Sequence, residues 1–333
     1  MPNRLIRFSK RTAFFCACAA LVTCFALASV GAAETYPSKP IRVINPWPPG
    51  GPADMVCRPI FNKLSERLGQ PIVIESRPGA SGIIGSTVVA KSAPDGYTLL
   101  FTNVGDVAII PAMRADMPYD PVKDLAPITQ VTSAPLVMMV RPDLPVKTLQ
   151  EFVAYCKTKT GKLAVTYGSQ GVGCTGHLTA EMLQSRASIS VLHVPYKGIS
   201  QVITDMLGGH IDVSSFNIVG AMPYIKTGKL RGIAVTTLKR SSLLPNLPAI
   251  AELYPGFEVN SWNGVMAPAG TPKDIIARLQ KEIAAVLKSP DIQEIFNNGV
   301  SPEGTTPEQH AAKIKEEVAR WAAVIKAAGL APK

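Results

Sequence analysis

Short apolar runs alternate with helical patterns along most of the chain, and Gly- or Pro-rich turns separate them. The apolar run Ile41–Asn45 is followed by such a turn and then by a helical pattern over residues 53–68. The same order repeats several times. Strands that alternate with helices through short turns predict a largely parallel sheet covered on both faces. The sequence therefore predicts the α/β class.

The alternation begins anew after residue 135, which indicates a second α/β unit with its own sheet. Two long helical patterns close the chain, and we expect them to return to the first unit. The chain would then cross between the units near residues 134–137 and 255–260, and two crossings would make a hinge. The predicted domains are residues 34–135 with 258–333, and residues 136–257.

Residues 1–33 predict a secretory signal peptide. They hold four basic residues and no acidic one, and an apolar run over residues 13–30 follows the basic stretch. Gly31 and Ala33 occupy the −3 and −1 positions of a cleavage site before Glu34. An uncleaved membrane anchor is the alternative, because the run is just long enough to span a bilayer. We expect cleavage and export of a soluble mature chain.

Charge and cysteine content exclude several partners. The net charge is +10, with 34 basic and 24 acidic residues, and four of the basic residues lie in the leader. The others are spread out with few interleaved aromatic residues, so we expect no nucleic-acid partner. The four histidines are scattered and no C-x-x-C motif occurs, so no metal is expected. Cys57, Cys156 and Cys174 lie outside the leader. The sequence leaves open whether Cys156 and Cys174 form a disulfide bridge.

The string Gly171-Val172-Gly173-Cys174-Thr175-Gly176 follows a predicted strand and opens a predicted helix. It fits the G-x-G-x-x-G motif of dinucleotide sites, so an NAD(P)-dependent oxidoreductase is one alternative. That motif needs an acidic residue at the end of the next strand, and residues 193–197 contain none. Free amides at a helix start also favour anions in general, and the hydroxyls of Ser169 and Thr175 add donors. A turn without a ligand is the remaining alternative.

Two further strand-to-helix loops have a comparable position. In the first, Gly50 and Gly51 expose amides, and Trp47 is either a core aromatic residue or a stacking wall. In the second, Thr102 and Asn103 follow the third predicted strand. Ligands of open α/β sheets bind beyond the carboxyl ends of the strands. The loops therefore predict a cleft between the domains that holds a carboxylate or a similar anion.

Catalytic motifs are missing from the sequence. No serine lies in G-x-S-x-G, no phosphate-binding G-x-x-x-x-G-K-[ST] loop occurs, and no Glu and His have metalloprotease spacing. The residues therefore give poor support to a catalytic arrangement, and no cofactor is expected.

Seven strings, in this order, resemble the Bug family, the extracytoplasmic substrate-binding receptors of tripartite tricarboxylate transporters. They are Tyr36-Pro37-Ser38-Lys39-Pro40-Ile41-Arg42, Pro48-Pro49-Gly50-Gly51, Arg77-Pro78-Gly79-Ala80, Pro94-Asp95-Gly96-Tyr97-Thr98-Leu99, His193-Val194-Pro195-Tyr196-Lys197-Gly198, Gly228-Lys229-Leu230-Arg231 and Ala267-Pro268-Ala269-Gly270-Thr271-Pro272. The resemblance covers essentially residues 35–330.

The resemblance implies a type II-like periplasmic-binding-protein fold, in which two domains close on a ligand about a hinge. It implies a periplasmic location, a carboxylate ligand, no catalysis, and delivery of the ligand to the permease subunits of the transporter. We expect a monomer. A receptor that signals its ligand state to a membrane sensor would use the same cleft, and it stays an alternative.

By motif, the resemblance places the ligand against the strand-to-helix loops, with the Tyr196 turn at the border of the cleft. The predicted ligand-binding residues are Trp47, Pro49, Gly50, Gly51, Thr102, Asn103, Ser169, Gly171, Gly173, Thr175, His177, Tyr196, Phe216 and Asn217.

One departure from the family pattern bears on the choice of ligand. Family members often read Phe-Asp-Asn where this chain reads Ser215-Phe216-Asn217. The change removes a negative charge that could pair with an ammonium group, and an aromatic ring could instead stack on a ligand ring. The sequence thus predicts a carboxylate without an amino group, with benzoate- or phthalate-like acids as candidates. The alternative is that Phe216 points into the core.

Overall fold

The computed structural model describes residues 36–159, 161, 164–196, 198–297 and 299–332. The chain divides into Met1–Ser38, of which only residues 36–38 are described, and the compact unit Lys39–Lys333. The predicted signal peptide lies outside the described residues. In the described part, no helix has both the length and the apolar character needed to cross a membrane.

Ten strands of the described chain form one mixed sheet. Its order is β2-β1-β3-β9-β4-β7-β5-β6, and β8 and β10 both pair with β4. The strands are β1 (Ile41–Asn45), β2 (Ile72–Ser76), β3 (Thr98–Asn103), β4 (Leu125–Val140), β5 (Val165–Ser169), β6 (Val191–Pro195), β7 (Val213–Asn217), β8 (Arg231–Val235), β9 (Asn260–Pro268) and β10 (Ser301–Pro302). The predicted α/β class is confirmed, but the expected two separate sheets are joined through β4.

Ten α-helices connect and cover these strands in the described residues. They are α1 (Pro52–Leu68), α2 (Ile83–Ala90), α3 (Ile110–Met113), α4 (Leu149–Thr158), α5 (Thr175–Ala187), α6 (Ile199–Leu207), α7 (Ile218–Lys226), α8 (Lys273–Leu287), α9 (Pro290–Phe296) and α10 (Pro307–Ala327). Short 3₁₀ turns lie at Ala80–Gly82 and Ile250–Glu252, and a π-helical turn at Gly105–Ile109 leads into α3.

Local sequence signals set several helix ends. Thr148 caps α4 by accepting a hydrogen bond from the Glu151 N–H, and Thr306 caps α10 in the same way. Pro307 occupies the first turn of α10, where its missing N–H costs nothing. Helix α1 ends at Gly69, which adopts the left-handed conformation that glycine favours at this position.

Strand β4 changes partners along its length. As far as Pro135 it pairs with β9, and from Leu136 onward it pairs with β7 and β8. We call β1, β2, β3, β9, β10 and the early part of β4 the first strand group. The second strand group contains β5 to β8 and the late part of β4. A single continuous strand therefore belongs to both groups.

The pairing register fixes where the strands of the two groups end. Asn103, the last residue of β3, lies opposite Asn263 of β9, which lies opposite Thr132 of β4. Asn217, the last residue of β7, lies opposite Leu136 of β4. Strand β1 runs parallel to β3, and β5 runs parallel to β7. The carboxyl ends of β1 and β5 therefore point in the same directions as those of β3 and β7. The carboxyl ends of the two groups therefore face each other across β4 between Thr132 and Leu136.

Among the described residues, the core includes two large apolar clusters. The larger one extends across both strand groups and includes Leu100, Met138, Leu178 and Trp321. The smaller one lies within the second group and is made by β4, β7, α6 and α7. The larger cluster packs the helices of both groups against one continuous sheet, so the strand ends that face each other are held from behind by buried apolar surface.

Candidate functional site

Four strands end in the same local arrangement at the facing edges. The last residue of each strand has a polar side chain that accepts a hydrogen bond from the backbone N–H two residues further on, a turn typical of Asn and Ser. These bonds join Asn45 to Trp47 N (3.3 Å), Asn103 to Gly105 N (2.7 Å), Ser169 to Gly171 N (3.2 Å) and Asn217 to Val219 N (2.9 Å).

This arrangement orients two carboxamides. In Asn103 and Asn217 the Oδ1 atom is occupied, which leaves the Nδ2 group as the donor for another partner. Neither Nδ2 group donates to a residue in the described part of the chain. Since β3 and β7 belong to different strand groups, each group supplies one free amide donor to the region between them.

At the β1 junction, the carboxylate of Asp54 occupies the loop amide. Gly50 N donates to Asp54 Oδ2 at 2.9 Å, and Arg58 Nε donates to the same oxygen at 2.7 Å. Burial raises the pKa of Asp54, but the bonds from Arg58 and Gly50 outweigh it, so the pKa lies below its usual value. The Gly50 amide, which the sequence offered as an anion donor, is therefore already engaged.

Trp47 lies between the β1 and β3 junctions. Its indole packs against Gly82 and Gly105, and Pro49 and Gly50 beside it are exposed. Its Nε1 atom is buried and has no hydrogen-bond partner among the described residues. A buried indole N–H without a partner is unfavourable, and an acceptor brought by a ligand would satisfy it.

The β3 junction is organised by Asp106, which the sequence analysis did not single out. This carboxylate is fully buried and accepts hydrogen bonds from Ser86 Oγ (2.9 Å), Thr102 Oγ1 (2.7 Å) and Asn103 N (2.9 Å). Burial raises the pKa of Asp106 to about 6, although these three bonds oppose the shift. Thr102, predicted as a ligand donor, instead anchors Asp106, and Asn103 is held by both its backbone and its side chain.

The β5 junction leaves free backbone donors at the start of α5. The N–H groups of Thr175 and Gly176 have no hydrogen-bond partner in the described residues, as expected for the first turn of a helix. A Cβ on Gly176 would lie 2.6 Å from the carbonyl oxygen of Ser215, so only glycine lets α5 approach β7 this closely. These amides, with the positive end of the helix dipole, favour an anion.

The same loop reaches the first strand group. A Cβ placed on Gly173 would lie 2.6 Å from the sulfur of Met113 in α3, so the two segments are in contact. The loop before α5 therefore lies against α3, the helix that follows the β3 junction.

Two stacked histidines support the α5 loop from behind. The rings of His177 and His193 lie 3.9 Å apart at an angle of 19°, and His193 Nε2 lies 2.6 Å from Ser169 Oγ. Gly173 N donates to His177 Nδ1 at 3.1 Å, which places the proton of a neutral His177 on Nε2, facing Glu181. Burial and the neighbouring His177 lower the pKa of His193 to about 4, so His193 is neutral near pH 7. Ser169 and His177 thus shape the loop.

Tyr196 follows β6 and is also engaged. Its hydroxyl donates to Asp205 Oδ2 at 2.6 Å, and its backbone N–H donates to Ser169 O at 2.9 Å. Burial and the Asp205 carboxylate raise the pKa of Tyr196 to about 12, so its hydroxyl keeps its proton. Its contacts tie the Tyr196 turn to α6 and to the end of β5.

Phe216 corrects an expectation from the sequence. Only 4% of its surface is exposed, and it lies in the smaller core cluster with Val137 and Met206. Neighbouring side chains of a strand point to opposite faces, and position 216 faces this apolar layer. The ring fills the core beneath β7, which is the alternative that the sequence left open.

The cysteines are free thiols, and Cys174 accepts a hydrogen bond from His177 N at the start of α5. Cys57, Cys156 and Cys174 are all unpaired, so the bridge between Cys156 and Cys174 that the sequence left open is not formed. No cluster of three or more His, Cys, Asp or Glu side chains suited to a metal ion occurs in the described residues.

Comparison with known proteins places the chain in a family. Residues 56–330 match the model of the tripartite tricarboxylate transporter family receptor. Protein BugT of Bordetella pertussis is 37% identical over 306 residues, which span 91% of this chain and 93% of BugT.

Solved structures agree in fold. An R. palustris protein solved with adipate is 34% identical, with a TM-score of 0.77 over 90% of this chain and 100% of that one. MatC from Rhodopseudomonas palustris with bound malate is 30% identical, with a TM-score of 0.73 over 87% of this chain and 100% of MatC.

The fold is that of the periplasmic solute-binding proteins, among them BugD, which is 34% identical with a TM-score of 0.74 over 90% of this chain and 100% of BugD. The chain belongs to the receptor family of the tripartite tricarboxylate transporters, the Bug family, as its sequence strings predicted.

Proposed function

We propose that the chain is a periplasmic receptor that captures a small carboxylate between its two strand groups. One observation carries the proposal: each strand group has free donors at its end of the facing strands. The donors are the N–H groups of Thr175 and Gly176 and the carboxamides of Asn103 and Asn217. The four junctions, residues 45–54, 102–106, 169–177 and 215–219, contain no Lys or Arg. Neutral, preoriented donors would bind the anion without a counter-charge.

The proposed ligand lacks an ammonium group. Asp54 and Asp106 are the acidic residues of these four junctions, and each already accepts several hydrogen bonds. Neither carboxylate is left to pair with an ammonium group. Adipate and malate, held by two relatives, also have carboxylates and no amino group. An aromatic acid has no special support, because Phe216 is in the core.

The two strand groups would act as the two domains of the receptor. We keep the predicted boundaries, residues 34–135 with 258–333 and residues 136–257, as part of the proposal. The facing strand ends would then close on the ligand by a hinge motion at the two chain crossings.

The ligand would pass from this receptor to the permease subunits of a tripartite tricarboxylate transporter. The proposal includes export to the periplasm with cleavage of the leader before Glu34, and a monomeric receptor. A sensor role uses the same cleft. Deleting the gene and measuring uptake of the identified acid separates the two, since only a transport receptor is needed for uptake.

A thermal-shift panel tests the ligand class. Adipate, malate, citrate, benzoate and phthalate are compared with aspartate and glutamate. A ligand at about 100 times its Kd stabilises the fold by about 2.7 kcal/mol, which raises Tm by roughly 5 °C. We expect such a rise for at least one acid without an amino group and none for the amino acids. A rise confined to the amino acids would contradict the proposal.

Gly171→Val is expected to weaken binding of the identified acid about tenfold or more. Gly171 has φ +129°, a backbone conformation that valine avoids, and its amide bonds Ser169 at the loop that opens α5. Gly228→Val is the matched control. Gly228 also has a positive φ, +68°, and lies in a turn between α7 and β8, where no atom lies within 4 Å of an added Cβ. Calorimetric titration should show lost affinity for Gly171→Val alone. Equal affinities for the two variants would mean that the loop does not bind the ligand.

A further inference from the structure

Thr236 joins the two places where the chain passes between the strand groups. It directly follows β8 and is fully buried. The first crossing is at Leu136, where β4 leaves β9 for β7 and β8. The second is at Val259, just before β9 begins. Both crossing residues are buried beside Thr236.

The backbone of Thr236 bonds to both crossings. Thr236 N donates to Leu136 O at 3.0 Å, and Val259 N donates to Thr236 O at 2.9 Å. These bonds extend the sheet past the end of β8. They already join both crossings to one residue, through one hydrogen bond each.

The hydroxyl of Thr236 links the crossings to each other. It accepts a hydrogen bond from Leu136 N at 2.9 Å and lies 2.5 Å from Val259 O, to which it donates. Leu136 follows Pro135, which has no N–H, at the point where β4 has lost one partner and gained another. The threonine side chain thus takes the place of a strand partner that the backbone does not supply there.

We infer that Thr236 is a positioning residue for ligand capture, whose hydroxyl sets the angle between the strand groups by tying both crossings together. The inference rests on the proposed function, in which those crossings are the hinge. Without the hydroxyl, Leu136 N–H and Val259 C=O lose a shared buried partner, and only the two backbone hydrogen bonds of Thr236 still hold the crossings, so the angle between the strand groups is less well fixed.

Distance measurements on the ligand-free protein test this inference without a known ligand. Spin labels are placed at the exposed positions Asn62 in α1 and Ala154 in α4, one in each strand group, as Asn62→Cys and Ala154→Cys. Cys174→Ser removes the partly exposed native thiol and keeps a residue suited to a helix cap. Failure of this test leaves the thermal-shift result untouched, so the two proposals fail separately.

Three variants separate the hydroxyl from general destabilisation. Thr236→Val keeps the shape and removes the hydroxyl, and we expect a broader label-to-label distance distribution and about tenfold faster exchange of the Leu136 amide. Thr236→Ser keeps the hydroxyl and should match the wild type. Thr129→Val removes an equally buried hydroxyl that bonds Thr305 O at 2.8 Å within the first group, and it should leave the distribution unchanged.

Two outcomes overturn the inference. One is a wild-type distribution in Thr236→Val, and the other is equal broadening in Thr129→Val. If Thr236→Val does not fold, Thr236→Ala is compared with Thr236→Ser, since these two differ by the hydroxyl alone. Equal distributions in that pair overturn the inference as well.

Discussion

Asp106→Ala is expected to lower the free energy of unfolding by about 3–5 kcal/mol and to abolish measurable ligand binding. The substitution leaves the donors of Ser86, Thr102 and Asn103 without their buried acceptor, and each unsatisfied buried donor costs about 1–3 kcal/mol. Those donors come from α2 and the end of β3, so their loss frees the junction that orients the Asn103 carboxamide. Urea unfolding and calorimetric titration measure the two effects.

Asp106→Asn is the matched control, because it keeps the shape and the acceptor for Asn103 N. We expect a smaller cost and retained binding. The raised pKa of Asp106, about 6 against an ordinary 3.8, also gives a pH signature. A raised carboxyl pKa contributes stability that is present below pH 3.8 and lost as pH rises through 6. Relative to Asp106→Asn, the wild type should therefore lose about 3 kcal/mol across that interval. If the unfolding free energies of the wild type and Asp106→Asn changed in parallel with pH, the Asp106 carboxyl would not have a raised pKa.

His310→Leu is expected to remove a large acid sensitivity of the fold. His310, in α10, is fully buried, meets Trp262 edge-on at 5.5 Å, and has no hydrogen-bond partner for either ring nitrogen among the described residues. A Cβ on Gly264 would lie 2.5 Å from its Nε2 atom, so the ring is pressed against the β9 backbone. Burial lowers the pKa of His310 to about 3.

The sign of the effect follows from this lowered pKa. The unfolded chain takes up a proton near pH 6.5 and the folded chain only near pH 3, so stability is present above 6.5 and falls on acidification. At pH 5 the loss is about 2 kcal/mol. Wild type and His310→Leu should diverge by that amount between pH 7 and 5 in urea unfolding. His210→Leu, at an exposed position, is the control. If His310→Leu lost stability on acidification as much as the wild type does, His310 would be in contact with solvent and would not have a lowered pKa.

The strand-to-helix junctions were predictable from sequence because they depend on local chemistry. Asn103 and Ser169 each end an apolar run just before a glycine-containing turn, and such residues bend the chain by bonding backbone amides nearby. The free donors at Thr175 and Gly176 follow from the position of the helix start alone. Which amides stay free was not predictable, because Asp54 engages Gly50 through a side-chain conformation that only the folded chain defines.

The course of β4 and the roles of two side chains were not predictable. Pro127 and Pro135, with polar residues between them, hide the first part of β4, which pairs with β9 through two register shifts. Asp106 did carry a signal, since a single acid within an apolar run must find buried donors. Phe216 carried none, because one residue of register decides whether its ring faces the core or the site.

The place of β9 in the sheet determines the order in which the molecule can assemble. Strand β3 pairs with β9, and so does the early part of β4, although β9 is made after the whole second strand group. The middle of the first group, where β9 lies between β3 and β4, therefore cannot form until Asn260–Pro268 has left the ribosome. Pairings between such distant segments close large loops, which makes folding slow. Most of the synthesis of this chain thus takes place before its native sheet can exist.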